Sequence, residues 1–270
     1  MTSSQYPQAL RPTPESFDKL YRGEPFFEGA PPPTGIPWDV RQAQPRLMEL
    51  EALGGISGEV LDVGCGLGDN AIYLASRGHS VTGLDGSAAA IEQARSRAAE
   101  AGVLNTTAGS AGVSFAVADA TDLSDYQGRF DTVVDSALYH CLDEEGRHAY
   151  LAALHAATRP GARLHLYCFS DGNINGLTAP GGAVTEDDIR DTLKRANWRV
   201  DFLGPTTYLG NTAGFADVTG ELPEALLAAV PPERIEQMRQ MGERMSTIRP
   251  LLDGDRVHLP FTVVHATRIG

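Results

Sequence analysis

The chain predicts an α/β fold, and three observations carry that expectation. Apolar runs of strand length alternate with amphipathic helical stretches through residues 60–204. A strand, a glycine-rich turn and a helix follow one another at residues 60–78, the first half of a βαβ unit. The later strands end in or close to acids, Asp85, Asp119 and Asp135, at the carboxyl edge where such a sheet gathers its ligand-facing groups.

Within VLDVGCGLGDNAIYLASRG, Val60–Val63 form the strand. Gly64, Gly66 and Gly68 follow at every second position, and the helix from Asp69 carries Ala71, Ile72, Leu74 and Ala75 on one face. Glycines let a ligand approach the backbone closely. A dinucleotide site would read G-x-G-x-x-G and aim a helix N-terminus at a pyrophosphate. Here the third glycine comes one position early and Asp69 takes its place, while Asp62 lies two residues before Gly64. Carboxylates there repel a phosphate and suit a ligand with positive charge and no phosphate. S-adenosylmethionine, with its ammonium and sulfonium groups, fits that description.

The remaining elements extend the alternation. Pro45–Leu53 reads as a helix ahead of the first strand, and HSVTGLD (79–85) as the second strand. Asp85 stands about twenty residues beyond the glycine turn, where a carboxylate can accept both ribose hydroxyls; the competing role is an acid at a helix N-cap. A helix over Ser87–Ala101 buries Ala90, Ile91, Ala94 and Ala98. Third, fourth and fifth strands are expected at 113–123, 130–135 and 162–171, with a helix at 144–158 closed by Arg159-Pro160-Gly161. Thr185 caps a helix to Ala196, WRVDFLG (198–204) is strand six, and 257–269 is strand seven with Pro260 cutting its start.

DVGCGLG resembles the first motif of the class I S-adenosylmethionine-dependent methyltransferases, FDTVVDS their fourth motif, and TRPGARLHLYCF their proline-glycine turn and fifth strand. The resemblance implies a Rossmann-like seven-stranded, mostly parallel sheet flanked by helices, its last strand antiparallel. It implies S-adenosylmethionine as cofactor and S-adenosylhomocysteine as product. The cofactor-binding set it points to is Asp62, Gly64, Gly66, Asp85, Gly86, Asp119, Ala120, Asp135 and Ser136. In the family an acid at the place of Asp119 accepts from the adenine amino group and the next N–H meets the ring; a loop-capping role for Asp119 is the alternative. Ser136, Leu138, Tyr139 and His140 should line the junction of cofactor and acceptor. His140 is the best-placed base and Tyr139 the second catalytic candidate, with a histidine satisfied at the top of the following helix as the rival reading. His140-Cys141 with Cys168 matches no zinc pattern, so no metal is expected.

The flanks are less regular. In residues 1–45, Thr13 caps a short helix to Tyr21 that has Pro14 at its first position, and Pro31-Pro32-Pro33 enforces an extended segment. Phe17, Tyr21, Phe26, Phe27 and Trp38 are too many aromatics for a disordered tail. FDKLYRG…PWD is similar to an N-terminal lid in small-molecule methyltransferases with thiol, halide and aromatic acceptors, in which Tyr21 and Trp38 would face the cofactor; hydrophobic anchoring of the arm is the other reading. The core then spans 46–204 and 255–270. Between strands six and seven, 205–254 is an inserted helical segment whose apolar stripe includes Ile235, Met238, Met241, Met245 and Ile248, read as a substrate lid, a dimer contact or plain packing.

Composition narrows the function. Hydrophobic residues make up 42% of the chain and its net charge is -13 with no Lys/Arg cluster, which disfavours nucleic acid and anionic membrane surfaces. There is no signal peptide or membrane-length apolar run, and three scattered cysteines suit a reducing compartment, so the cytoplasm is expected. The expected function is methylation of O, N or S on a small, largely apolar, aromatic or heterocyclic metabolite of secondary metabolism, by a monomer or homodimer. A non-catalytic S-adenosylmethionine-binding sensor or scaffold and an NAD-dependent oxidoreductase are the alternatives.

Overall fold

The computed structural model describes residues 12–25, 33–105, 110–169, 183–214 and 232–270. Phe26, Phe27, Pro31, Pro32 and most of the 171–184 loop lie outside them. Seven strands form one sheet: β1 (Glu59–Val63), β2 (Ser80–Asp85), β3 (Gly112–Val117), β4 (Phe130–Ser136), β5 (Thr158–Phe169), β6 (Trp198–Asn211) and β7 (Arg256–Arg268). Their order is β3-β2-β1-β4-β5-β7-β6. β1 to β5 run parallel, and β7 is antiparallel to both β5 and β6. The chain moves outward from β1 to β3, then returns to place β4 on the other side of β1. The carboxyl ends of β1 and β4 therefore border a topological switch point, where open α/β sheets hold ligands.

Seven α-helices cover the described chain: α1 (Pro14–Tyr21), α2 (Pro45–Ala52), α3 (Asp69–Ser76), α4 (Ala88–Glu100), α5 (Glu144–Ala157), α6 (Glu186–Arg195) and α7 (Pro232–Ile248). Period-two alternation divides each central strand between two cores. Leu61, Val63, Val133 and Leu164 pack with Tyr150, Leu151 and Leu154 of α5 and Ile189 and Leu193 of α6. Val60, Val81, Val113 and Val134 pack on the other face with Leu47 of α2, Leu74 of α3 and Ile91 and Ala94 of α4. Side-chain caps start α1, α4, α5 and α6: Thr13, Ser87, Asp143 and Thr185 each accept from a backbone N–H of the first turn. Among the described residues no helix is long and apolar enough to cross a membrane.

Four expected boundaries move, each for a physical reason. β3 stops at Val117 because Asp119 folds the chain into a turn, accepting from the Thr121 N–H and hydroxyl. The Arg159-Pro160-Gly161 turn lies inside β5 as a bulge, with Thr158 opposite Phe130 but Arg163 opposite Thr132. β6 runs through Pro205 to Asn211, past the expected end at Gly204; it is an edge strand, where proline removes no needed donor. β7 passes through Pro260, just beyond its last β5 partner at Phe261. The first residues assigned to the insert are therefore sheet. In α7, Met245 and Ile248 pack against Tyr208, Phe261 and their neighbours on β6 and β7, while the side chains of Met238 and Met241 lie outside the described residues.

The N-terminal arm is tied to this core by polar contacts at defined points. Asp18 of α1 accepts from the Ser87 hydroxyl at 2.6 Å and the Ala89 N–H at 2.9 Å, at the start of α4. The Gln44 side chain exchanges two hydrogen bonds with the Leu209 backbone on β6. Arg97 of α4 bridges Asp39 of the arm, at 2.9 Å, and Asp69 at the start of α3, at 3.0 Å. Arg97→Ala leaves Asp69 without its bridging cation and Asp39 with only the exposed Arg41, at 3.5 Å. It is expected to cost about 1–3 kcal/mol of stability and to speed tryptic cleavage at Lys19 and Arg22. Thermal unfolding and a proteolysis time course check this; wild-type behaviour in both would show that the bridge does not hold the arm.

Candidate functional site

The site forms where the glycine turn after β1 meets the turn after β4. Gly64, Gly66 and Gly68 all have positive φ, at 68°, 52° and 83°. A Cβ on Gly64 would lie 2.8 Å from the Leu138 side chain, and one on Gly66 would lie 2.8 Å from the Tyr21 hydroxyl. At both positions there is no room for a side chain beneath the neighbours that cover the turn. Tyr21 is buried and accepts a hydrogen bond from the Trp38 indole at 3.0 Å, so the two aromatics close the arm over the glycines. Burial, with the nearby Asp85 charge, keeps the Tyr21 phenol protonated. Gln93 of α4 fixes α1 from below by donating to the Tyr21 carbonyl at 2.7 Å.

Three acids lie beneath. Asp85, at the end of β2, accepts from the Gly66 N–H through Oδ2 and from the Ser87 N–H through Oδ1, each at 2.8 Å. It thus joins the glycine turn to the start of α4, and burial raises its pKa. Each oxygen keeps a second lone pair for a hydroxyl. Asp62 is 1% exposed, and neither of its oxygens has a hydrogen-bond partner of good geometry; the Ala71 amide gives weak relief. Burial first, and the Asp135 charge second, push its pKa up to about 7. Asp135 is also buried and raised to about 7 by desolvation, yet it is fully engaged. Oδ1 accepts from the Leu138 N–H at 2.8 Å and more weakly from that of Tyr139, and Oδ2 accepts from the Tyr150 hydroxyl at 2.8 Å. Asp135 is therefore the anchor of the turn after β4. In that turn Ala137 adopts φ 86°, a strained value for a residue with a Cβ.

The other expected residues divide. Ser136 reaches the site, its hydroxyl buried beside the Tyr208 phenol of β6. Gly86 is exposed and faces Pro14 of the arm. Asp119 is exposed in its own loop turn, and Ala120 packs at the edge of the α5-side core. Tyr139 is fully buried in that core, 6.4 Å from the Tyr150 ring and with the Arg147 guanidinium over its face. His140 is buried among Phe169, at 4.2 Å between ring centroids, and Phe261, at 5.8 Å. Its Nδ1 accepts from the Phe169 N–H at 3.2 Å, and burial lowers its pKa to about 3. A base that weak removes few protons near neutrality, so the base role expected of His140 does not follow from its surroundings.

Asp69 departs from its expected electrostatic part. Its carboxylate is paired with Arg97, whereas Asp62, the other acid flanking the glycines in sequence, has neither a cation nor a well-formed hydrogen bond among the described residues. Sequence reasoning missed Asp18, Gln93, Arg97 and Tyr208. Asp18 had a signal, since it sits between Phe17 and Tyr21; Tyr208 has no aromatic within five residues, and Arg97 and Gln93 look like ordinary exposed helix residues in the sequence.

The geometry fits the expected cofactor on two counts: an unrelieved buried carboxylate suits a cationic ligand, and glycines without room for a Cβ suit close backbone approach. Comparison with known proteins agrees. A family model described as a methyltransferase domain matches residues 60–161. The chain is 36% identical over 203 residues to the 2-heptyl-1-hydroxyquinolin-4(1H)-one methyltransferase of Mycobacteroides abscessus, covering 75% of this chain and 85% of that one. It is 33% identical over 126 residues to an uncharacterized methyltransferase of Schizosaccharomyces pombe, covering 47% of this chain and 81% of that one. A solved structure from work on the conversion of a disulfide bond into a thioacetal group during echinomycin biosynthesis superposes with a TM-score of 0.69 at 29% identity, covering 94% of this chain and 92% of that one. The chain belongs to the class I S-adenosylmethionine-dependent methyltransferases, and S-adenosylmethionine is its cofactor.

Proposed function

We propose that the chain methylates an oxygen, nitrogen or sulfur atom of a small, largely apolar, aromatic or heterocyclic metabolite. The observation that carries this reading is an aromatic wall beside the turn after β4. His140 lies against Phe169, Phe169 is 4.9 Å from Phe261, and Tyr208 stacks on Phe261 at 4.5 Å and 15°. Phe261 and Tyr208 are buried behind Phe169, the half-buried ring of this group, against which a flat ring would be held by dispersion and offset stacking. The relative in Mycobacteroides abscessus acts on a heptyl-hydroxyquinolone, a ligand of that shape. The 29%-identical structure comes from chemistry at a disulfide, which keeps sulfur among the acceptor atoms.

The residue roles follow from this reading. Asp62 meets the cofactor's ammonium group, Asp85 accepts from its ribose hydroxyls, and the backbone of Gly64 and Gly66 lies against it. Gly86, Asp119 and Ala120 border the adenine end, and Ser136 borders the acceptor junction. Asp135 acts on the cofactor indirectly, by holding the turn after β4. Tyr21 and Trp38 act as a lid, closing the described parts of the arm, residues 12–25 and 33–45, over the bound molecule and excluding water. S-adenosylmethionine supplies an electrophilic methyl group on a sulfonium. The chain's own task is to hold the acceptor in line with the carbon–sulfur bond, about 3 Å from that methyl, in a dry site.

The direct test is transfer from methyl-labelled S-adenosylmethionine to a panel of 1-hydroxyquinolin-4(1H)-ones, phenols, N-heterocycles and thiols, with mass spectrometry of the products. A labelled aromatic or heterocyclic product is expected. Tight binding of S-adenosylhomocysteine with no labelled product from any acceptor would favour a binding protein instead. Asp85→Asn should weaken S-adenosylhomocysteine binding by about 1–3 kcal/mol through loss of charge-assisted hydrogen bonds. Calorimetry gives the value, and an unchanged affinity would remove the ribose role.

A further inference from the structure

The position of the His140 proton is fixed by its neighbour. The backbone N–H of Phe169 on β5 donates to Nδ1 at 3.2 Å. An amide can only donate, so Nδ1 presents its lone pair and the imidazole proton resides on Nε2. Among the described residues no group accepts a hydrogen bond from Nε2. A histidine base takes a proton on the nitrogen that lacks one. Here that nitrogen already holds an amide donor and faces the sheet backbone, so protonation would break its hydrogen bond and bury a charge between Phe169 and Phe261.

Nothing nearby reverses this. Asp135 lies under the same turn and is bound by the Leu138 N–H and the Tyr150 hydroxyl. The thiol of Cys141 is pushed up to about 12 by burial, and Cys168 on β5 and Tyr208 across Phe261 are also raised by burial. Burial alone lowers the basicity of His140, with no charged partner to restore it.

We propose that His140 serves as a neutral hydrogen-bond donor through Nε2–H and that the acceptor reaches it as an anion. This rests on the reaction proposed above and narrows its substrate class to hydroxyls and thiols acidic enough to ionise unaided near neutral pH, such as N-hydroxy-heteroaromatics, electron-poor phenols and aryl thiols. The acceptor loses its proton to water before binding. Its lone pair forms the new bond to the methyl carbon as the carbon–sulfur bond breaks, and that bond's electron pair returns to sulfur. Acceptor anion and sulfonium cation are neutralised together, so no proton passes to the enzyme. The Nε2–H holds the anion in place and disfavours a neutral hydroxyl only in so far as that hydroxyl is the weaker acceptor.

Two measurements decide this. In the ¹⁵N spectrum of the full chain with S-adenosylhomocysteine bound, the His140 imidazole is assigned by its loss in His140→Gln. The expected result is a proton on Nε2 and a bare Nδ1 throughout pH 5–8; a proton on Nδ1, or titration near the ordinary value of about 6.5, overturns the donor role. The second is the pH profile of kcat/KM with 1-hydroxyquinolin-4(1H)-one. The rate should rise with the acceptor's own ionisation. His140→Phe should lower it roughly 10- to 100-fold at every pH without moving the inflection, and His140→Gln, which retains an N–H, should recover part of the loss. An inflection present in the wild type and absent from His140→Phe would make His140 the base and overturn the proposal. Failure to methylate any acceptor would defeat the proposed reaction, while the ¹⁵N spectrum still decides the donor role independently.

Discussion

A carboxylate taken out of water must be relieved by hydrogen bonds or a countercharge, or it takes up a proton. The sheet sets two of them on neighbouring strands near the carboxyl ends of β1 and β4, with Asp135 one register position beyond Asp62. Asp135 is relieved within the fold by two backbone amides and the Tyr150 hydroxyl, and in return fixes the turn that carries Leu138, Tyr139 and His140. Asp62 has no comparable relief. Much of the surrounding architecture serves this contrast: Leu138 covers Gly64, Asp85 holds Gly66, and Tyr21 with Trp38 covers the same turn. The fold thus leaves one buried acid without hydrogen-bond relief, where a cationic ligand would favour its charged form.

The arm belongs to this economy of charge as much as to packing. Asp18 binds the first turn of α4, and Arg97 neutralises both Asp39 and Asp69. Asp69 already adds to the cost of ionising Asp62, and the Arg97 guanidinium beside it offsets part of that charge. In a chain of net charge -13, a cation placed between two acids at the mouth of the site leaves the interior acid as the dominant local feature.

The βαβ start, the succession of strands and helices and the acids at the strand ends were legible because they rest on local rules: strand-length apolar runs, glycine spacing and helix caps. Thr13, Ser87 and Thr185 announce their helices in the sequence itself. What was not legible depends on contacts between distant segments. β6 looked finished at Gly204-Pro205, because whether a proline is tolerated depends on the strand lying at the sheet edge. Tyr139 and His140 are adjacent and read alike, yet the turn anchored by Asp135 sends one into the α5-side core and the other toward Phe169 and Phe261. The pairing of Asp69 with Arg97 joins residues 28 apart on two helices, and sequence alone gave that arginine no partner.

In the proposed binding mode the cofactor's cation meets a carboxyl group that is partly protonated in the ligand-free protein. Asp62 has its pKa raised to about 7, and a bound ammonium lowers it by favouring the carboxylate. Binding at pH 6–7 therefore expels a proton, and affinity is full above about pH 7.5 and weakens as pH falls below the ligand-free value. Titration calorimetry of S-adenosylhomocysteine binding across pH 6–8, in buffers of different ionisation enthalpy, measures that proton directly. Release of a substantial fraction of a proton near pH 6.5, vanishing by pH 8 and absent in Asp62→Asn, is the predicted result. A proton count of zero at every pH, with affinity unchanged, would contradict it.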